Sequence, residues 1–74
     1  MKNDIKSQLG TAIRKRRNEL GISQEELAGR AGLHRTYISD IERGARNVSI
    51  ENIERLSKAL KISISEMFAG YGIE

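Results

Sequence analysis

The sequence predicts an all-α fold of five short helices, on three observations. Its 74 residues include no proline, the residue that removes a backbone N–H and breaks a helix interior. Apolar residues recur three and four apart, the spacing that lines one helix face. Start and stop signals alternate along the chain: Ser23 and Ser63 each stand three residues ahead of a glutamate, and glycines fall at 21, 32 and 44.

Helix 1 is expected from about Asp4 to Leu20, with Ile5, Leu9, Ala12, Ile13 and Leu20 near one face. Gly21 follows and can take the left-handed conformation that closes a helix. Ser23 opens helix 2, where Ser23 and Glu26 make a capping box, each side chain satisfying a backbone N–H of the first turn. Helix 2 ends near Ala31, Gly32 makes the turn and Leu33 plugs that turn into the core. Helix 3 covers about His34 to Arg43 and stops at Gly44, and residues 44–48 form a loop.

Ser49 caps helix 4, with Glu51 and Glu54 near its positive end. Ile50, Ile53, Leu56, Ala59 and Leu60 give it an apolar face. Ser63 and Glu66 make a second capping box and open a short helix 5 holding Ile64, Met67 and Phe68. Order is expected to end at Gly70 and Gly72. The reading is one domain over residues 1–74 with an ordered core over about 4–69, without repeats, low-complexity tracts or linkers.

A domain this small has a thin core and needs idealised helix packing or a partner. Without cysteine it can have neither disulfides nor a thiolate metal site, and its single histidine cannot make a metal site alone. No cofactor is expected. No apolar run is long enough to cross a membrane, and the N-terminus lacks the apolar core of a signal peptide, so a cytoplasmic protein is expected. One histidine and no paired carboxylates leave no catalytic constellation, so an enzyme is not expected.

The net charge of +3 is unevenly spread. Residues 1–22 carry +4, residues 23–28 carry −2, residues 29–49 carry +2 and residues 50–74 carry −1. Positive charge in the first two thirds suits a phosphate backbone, whose neutralisation releases counterions. The neutral-to-acidic last third suits a surface facing another protein. Charge alone does not separate this from an ordinary solvated surface.

The stretch Ser23 to Arg43, SQEELAGRAGLHRTYISDIER, is more specific. It reads as two short helices joined by a tight turn, the helix-turn-helix that places its second helix in the DNA major groove. Ala28 lets the helices cross closely, Gly32 permits the turn, and Leu27, Ala31, Leu33, Ile38 and Ile41 supply a shared core. With Ile38 and Ile41 inward, the rotation of about 100° per residue turns Thr36, Ser39, Asp40 and Arg43 outward, and Arg35 projects from the helix start.

Arg35 can donate two parallel hydrogen bonds to guanine, and Thr36 offers a hydroxyl and a methyl to base edges. Base contacts are therefore expected from Arg35, Thr36, Ser39 and Arg43, the last also placed at the far end of the helix to clamp the backbone. Tyr37 reaches phosphates or bases, or else packs half-buried. Gln24, in the first turn of helix 2, is expected on a phosphate. Asp40 is awkward beside a polyanion: it accepts from a cytosine, or it faces solvent or rejects wrong partners.

These residues carry a resemblance. Residues 23–43 are similar to the helix-turn-helix of the phage Cro/repressor-type (Cro/C1-type, XRE-like) regulators, and LGTAIRKRRNELGISQEELA extends the likeness before the turn. More narrowly, HRTYISDIERGARNVSIENIERLSKAL resembles the controller proteins of restriction–modification systems. The likeness implies a compact five-helix, lambda-repressor-like DNA-binding domain. It implies a bacterial or phage transcription regulator that binds a pseudo-palindromic operator as a homodimer and controls restriction–modification genes, its own included. Alternatives are a generic phage-type repressor, or an antitoxin or protein-interaction module on the same fold.

The resemblance places the loop after helix 3 along the DNA backbone, so Arg46 and Asn47 are expected on phosphates or the groove edge, with Ser49 both cap and phosphate partner. His34 stands where such families place a helix cap and is read as a turn residue. Similar repressors pair a glutamate at the position of Glu42 with a helix 1 arginine, so an Arg17–Glu42 ion pair is expected. Glu25 and Glu26 could offer RNA polymerase an acidic patch, as in related activators, although stabilising the start of helix 2 is the favoured role. The dimer interface is expected at Ile62, Ile64, Met67 and Phe68, with Ile64 and Met67 facing the partner while Ile62 and Phe68 close the core.

Overall fold

The computed structural model describes residues 4–69. Five helices follow in order: α1 (Ile5–Leu20), α2 (Gln24–Ala31), α3 (Arg35–Glu42), α4 (Ile50–Ala59) and α5 (Ile64–Ala69). The expectation that order ends at Gly70 and Gly72 lies outside the described residues.

Short helices depend on their caps because a large share of their N–H groups lack partners inside the helix. Side-chain oxygens supply partners here. Asp4 accepts from the Ser7 N–H at 2.9 Å, Ser23 from Glu26 at 3.0 Å, Ser49 from Asn52 at 3.1 Å and Ser63 from Glu66 at 2.9 Å. The box at α5 is reciprocal, the Glu66 carboxylate accepting the Ser63 N–H at 3.1 Å. The expected box at α2 is only half made. Arg30, one turn on, draws the Glu26 carboxylate along the helix to a 2.9 Å ion pair, the favoured order of charges four apart. His34 caps α3 by its backbone conformation, without a side-chain hydrogen bond.

The core is one cluster. Ile13 of α1, Leu27 of α2, Ile38 and Ile41 of α3, Leu56 of α4, Leu60 at the end of α4 and Met67 of α5 are its largest fully buried side chains. Each such burial contributes about 1.5–3 kcal/mol. α1 packs against α3 and α5, and α2 against α3 and α4, so α3 is held from two sides while its remaining side stays free. At Gly10 the backbones of α1 and α3 nearly touch: a Cβ there would run into the carbonyl oxygens of Ile41 and Glu42.

Two expected core residues lie outside this cluster. Ile5 is 60% exposed, on the wall of an open groove that it lines with Leu9, Val48, Ile53 and Phe68. Ile50 is 75% exposed, at the first position of α4, on the rim of an inward stripe formed by Ile53, Leu56, Ala59 and Leu60. Met67, expected to face a partner, is 1% exposed. The α4–α5 turn folds it back between α1 and α4, where the protomer's own core uses its side chain. Ile62 and Phe68 are half-buried against the same core, and Ile64 is 38% exposed.

Candidate nucleic-acid interface

The free side of α3 is anchored by an ionic cluster at its other edge. Glu42, the last residue of α3, has a side chain only 1% exposed. Arg17 of α1 donates to it from Nε at 2.7 Å and from Nη2 at 3.1 Å, and spends its Nη1 on the Ile22 carbonyl at 3.0 Å. The Gln24 amide adds a 3.0 Å bond, and Arg14 stands 3.5 Å away. Burial alone would raise the Glu42 pKa; the hydrogen bonds from Arg17 and Gln24 outweigh it and hold the carboxyl below its ordinary range. The same pairing raises Arg17. This clamp ties α1, α2 and α3 together at one point and sets the pitch of α3 on the molecule.

From that fixed helix Arg35, Thr36 and Arg43 are exposed and Ser39 is half-buried, all on the outward side. Among the described residues the Arg35 guanidinium has neither ion pair nor hydrogen bond. It shares this state with Arg55 of α4 and differs in it from Arg14, Arg16, Arg17, Arg30, Arg43 and Arg46, each of which is paired. Arg43 pairs with Asp40 at 2.6 Å and donates to Ser39 Oγ at 3.3 Å. Arg46, from the loop, pairs with the other oxygen of Asp40 at 3.1 Å and lies over the Tyr37 ring, 4.8 Å from its centre. The hydrogen bonds from Arg46 and Arg43 hold the Asp40 carboxyl below its ordinary range.

Tyr37 is half-buried, and its hydroxyl accepts from the Asn52 amide at 3.0 Å. Gly32, Leu33, His34, Thr36, Tyr37, Arg46 and Asn52 line a shallow groove beside the start of α3. Asn47 and Ser49 are exposed in the loop that follows α3, Asn47 lining a separate groove with Ile5, Val48 and Phe68 and the Ser49 hydroxyl engaged as the α4 cap. The structure thus gathers Arg35, Thr36, Tyr37, Ser39, Arg43, Arg46, Asn47 and Ser49 along α3 and the loop beside it. It sets Gln24 apart: its side chain is turned to Glu42 rather than outward, because the buried carboxylate needs the donor.

Two residues outside the sequence-based expectations fix parts of the framework, Asn52 beside this face and Arg16 at the end of α4. Asn52 orients Tyr37, and nothing in the spacing announces it. Arg16 closes α4, donating to the carbonyls of Leu60 at 2.9 Å and Lys61 at 3.2 Å. The sequence carries a signal for it, since α4 ends without glycine; in the structure Lys61 takes the positive φ of 55° at that helix end.

A helix-turn-helix family profile (HTH_3) matches residues 13–67. The chain is 50% identical over 68 residues to the control protein C.BamHI of Bacillus amyloliquefaciens, covering 90% of this chain and 84% of that protein. Among solved structures, the restriction–modification controller protein C.AhdI from Aeromonas hydrophila superposes with a TM-score of 0.83 at 44% identity, over 85% of this chain and 91% of that one. The controller protein C.Esp1396I, solved as a tetramer with its natural 35-base-pair operator, superposes with a TM-score of 0.86 at 38% identity, over 95% and 92% of the two chains.

Proposed function

The chain belongs to the Cro/C1-type helix-turn-helix family, among the restriction–modification controller proteins, and from that premise we propose that it is a transcription regulator that binds an operator as a homodimer. The observation that carries this reading is the state of Arg35. An exposed guanidinium without a partner, at the N-terminal end of a helix held from behind by the Arg17–Glu42 clamp, is a pre-positioned donor pair for guanine O6 and N7. Thr36 and Ser39 extend the base-reading surface, while Arg43, Arg46, Asn47 and Ser49 supply the backbone and groove-edge contacts. Tyr37, tied to Asn52, acts as the platform that places Arg46.

The regulator acts by binding alone, without catalysis, in a bacterial or phage-infected cytoplasm, on restriction–modification genes that include its own. Glu25 and Glu26, both exposed in the first turn of α2, chiefly stabilise that helix start and together present an acidic patch to RNA polymerase. A two-fold dimer would set the two α3 helices about 34–36 Å apart, matching half-sites one helical turn apart. Footprinting on the duplex upstream of its own gene tests the proposal. Protection of two inverted half-sites at that spacing is expected; uniform, position-independent protection would refute it.

A further inference from the structure

A carboxylate on the outward side of α3 is costly beside DNA, yet Asp40 stands there with both oxygens occupied. Oδ1 accepts from Arg43 at 2.6 Å and Oδ2 from Arg46 at 3.1 Å. Both cations belong to the proposed DNA face, and both are further fixed, Arg43 on Ser39 Oγ and Arg46 on the Tyr37 ring. Stability does not account for the arrangement. Exposed ion pairs contribute about 0–1 kcal/mol, and the ionic clamp that holds α3 is Glu42, on its inward edge.

We infer that Asp40 is a specificity-determining residue: it holds Arg43 and Arg46 back from DNA phosphates in general while presenting them in one geometry to the operator. The inference rests on the operator-binding reading. On a random duplex either arginine reaches a phosphate only by leaving Asp40 or by bringing the carboxylate toward the backbone with it. Both routes weaken the sequence-independent electrostatic contribution. At an operator the arginines meet their acceptors from the pinned position, so less is lost. Arg35, outside this network, is untouched. Asp40 thus widens the gap between right and wrong sites by penalising the wrong ones.

The test is a salt-dependent titration of wild type, Asp40→Asn and Asp40→Glu. The probes are the footprinted upstream duplex and a scrambled duplex of equal length and composition. For Asp40→Asn the affinity for scrambled duplex is expected to rise about five- to tenfold, as for loss of one charge at contact distance. Its salt slope should steepen by about 0.9, one more phosphate neutralised. Affinity for the upstream duplex should rise less, so discrimination falls, while Asp40→Glu stays near wild type. Adding Arg46→Gln to Asp40→Asn should return scrambled-duplex affinity toward wild type, because the released guanidinium does the binding. An unchanged or weaker scrambled-duplex affinity in Asp40→Asn, with an unchanged melting temperature, would overturn the inference. A wild type that does not distinguish the two duplexes would instead refute the operator reading, and the scrambled-duplex comparison would still decide what Asp40 does.

Discussion

The Arg17–Glu42 pair sets the position of α3 from within. A carboxylate this buried is tolerated because Arg17 and Gln24 satisfy it. Removing one partner of a buried pair costs about 3–5 kcal/mol. Arg17→Met is therefore expected to unfold at markedly lower urea, while Lys58→Met, in an exposed pair with Glu54, shifts the midpoint little. The pH dependence follows from the depressed Glu42 pKa. Its contribution is full above the ordinary carboxylate range and is lost as pH falls through the lower folded value. Glu42→Gln should therefore be less stable at neutral pH and lose less on acidification. The pair was legible because a wheel puts Glu42 at the inward edge of α3 and related repressors pair that position. The turn of Gln24 toward Glu42 was not, since a helix start exposed in sequence gives no sign that a neighbouring buried carboxylate needs a donor.

Among the elements, helix number, order and caps follow from local chemistry, so they were readable in the sequence. Ser49 and Ser63 open helices for the same reason in sequence and in structure. What eluded sequence reading depends on tertiary surroundings. Ile5 and Ile50 sit at helical spacing with the core, yet periodicity does not show where neighbouring elements stop. The need for glycine at position 10 is likewise a property of two backbones meeting. Gly10→Ala should force α1 off α3 and destabilise by about 1–3 kcal/mol. Gly29, inside α2 with open space where a Cβ would stand, should behave oppositely: Gly29→Ala is expected to stabilise by about 0.5–1 kcal/mol, read from thermal melting.

At the scale of the whole molecule, a 74-residue chain covers most of its core but leaves Ile5, Ile50 and Ile64 in solvent. The proposed homodimer is expected to use Ile64 together with the exposed edges of Ile62 and Phe68. Ile64→Asp should keep the helical spectrum but sediment as a monomer where wild type is dimeric, and lose operator affinity. A wild type that is monomeric at high micromolar concentration would contradict the dimer. The α5 surface was only partly legible because three large apolar residues in a six-residue helix cannot be sorted into core and partner by spacing. Packing against α1 and α4 decides, and it takes Met67 inward.

On the proposed reading α3 reads bases through Arg35. Its most direct test is a salt-dependent titration of wild type and Arg35→Ala on the footprinted duplex and on scrambled duplex. Arg35→Ala is expected to lose about 1–3 kcal/mol of discrimination while keeping its affinity and salt slope on scrambled DNA. If Arg35→Ala discriminates as well as wild type, or loses affinity equally on both duplexes, α3 does not read bases through Arg35.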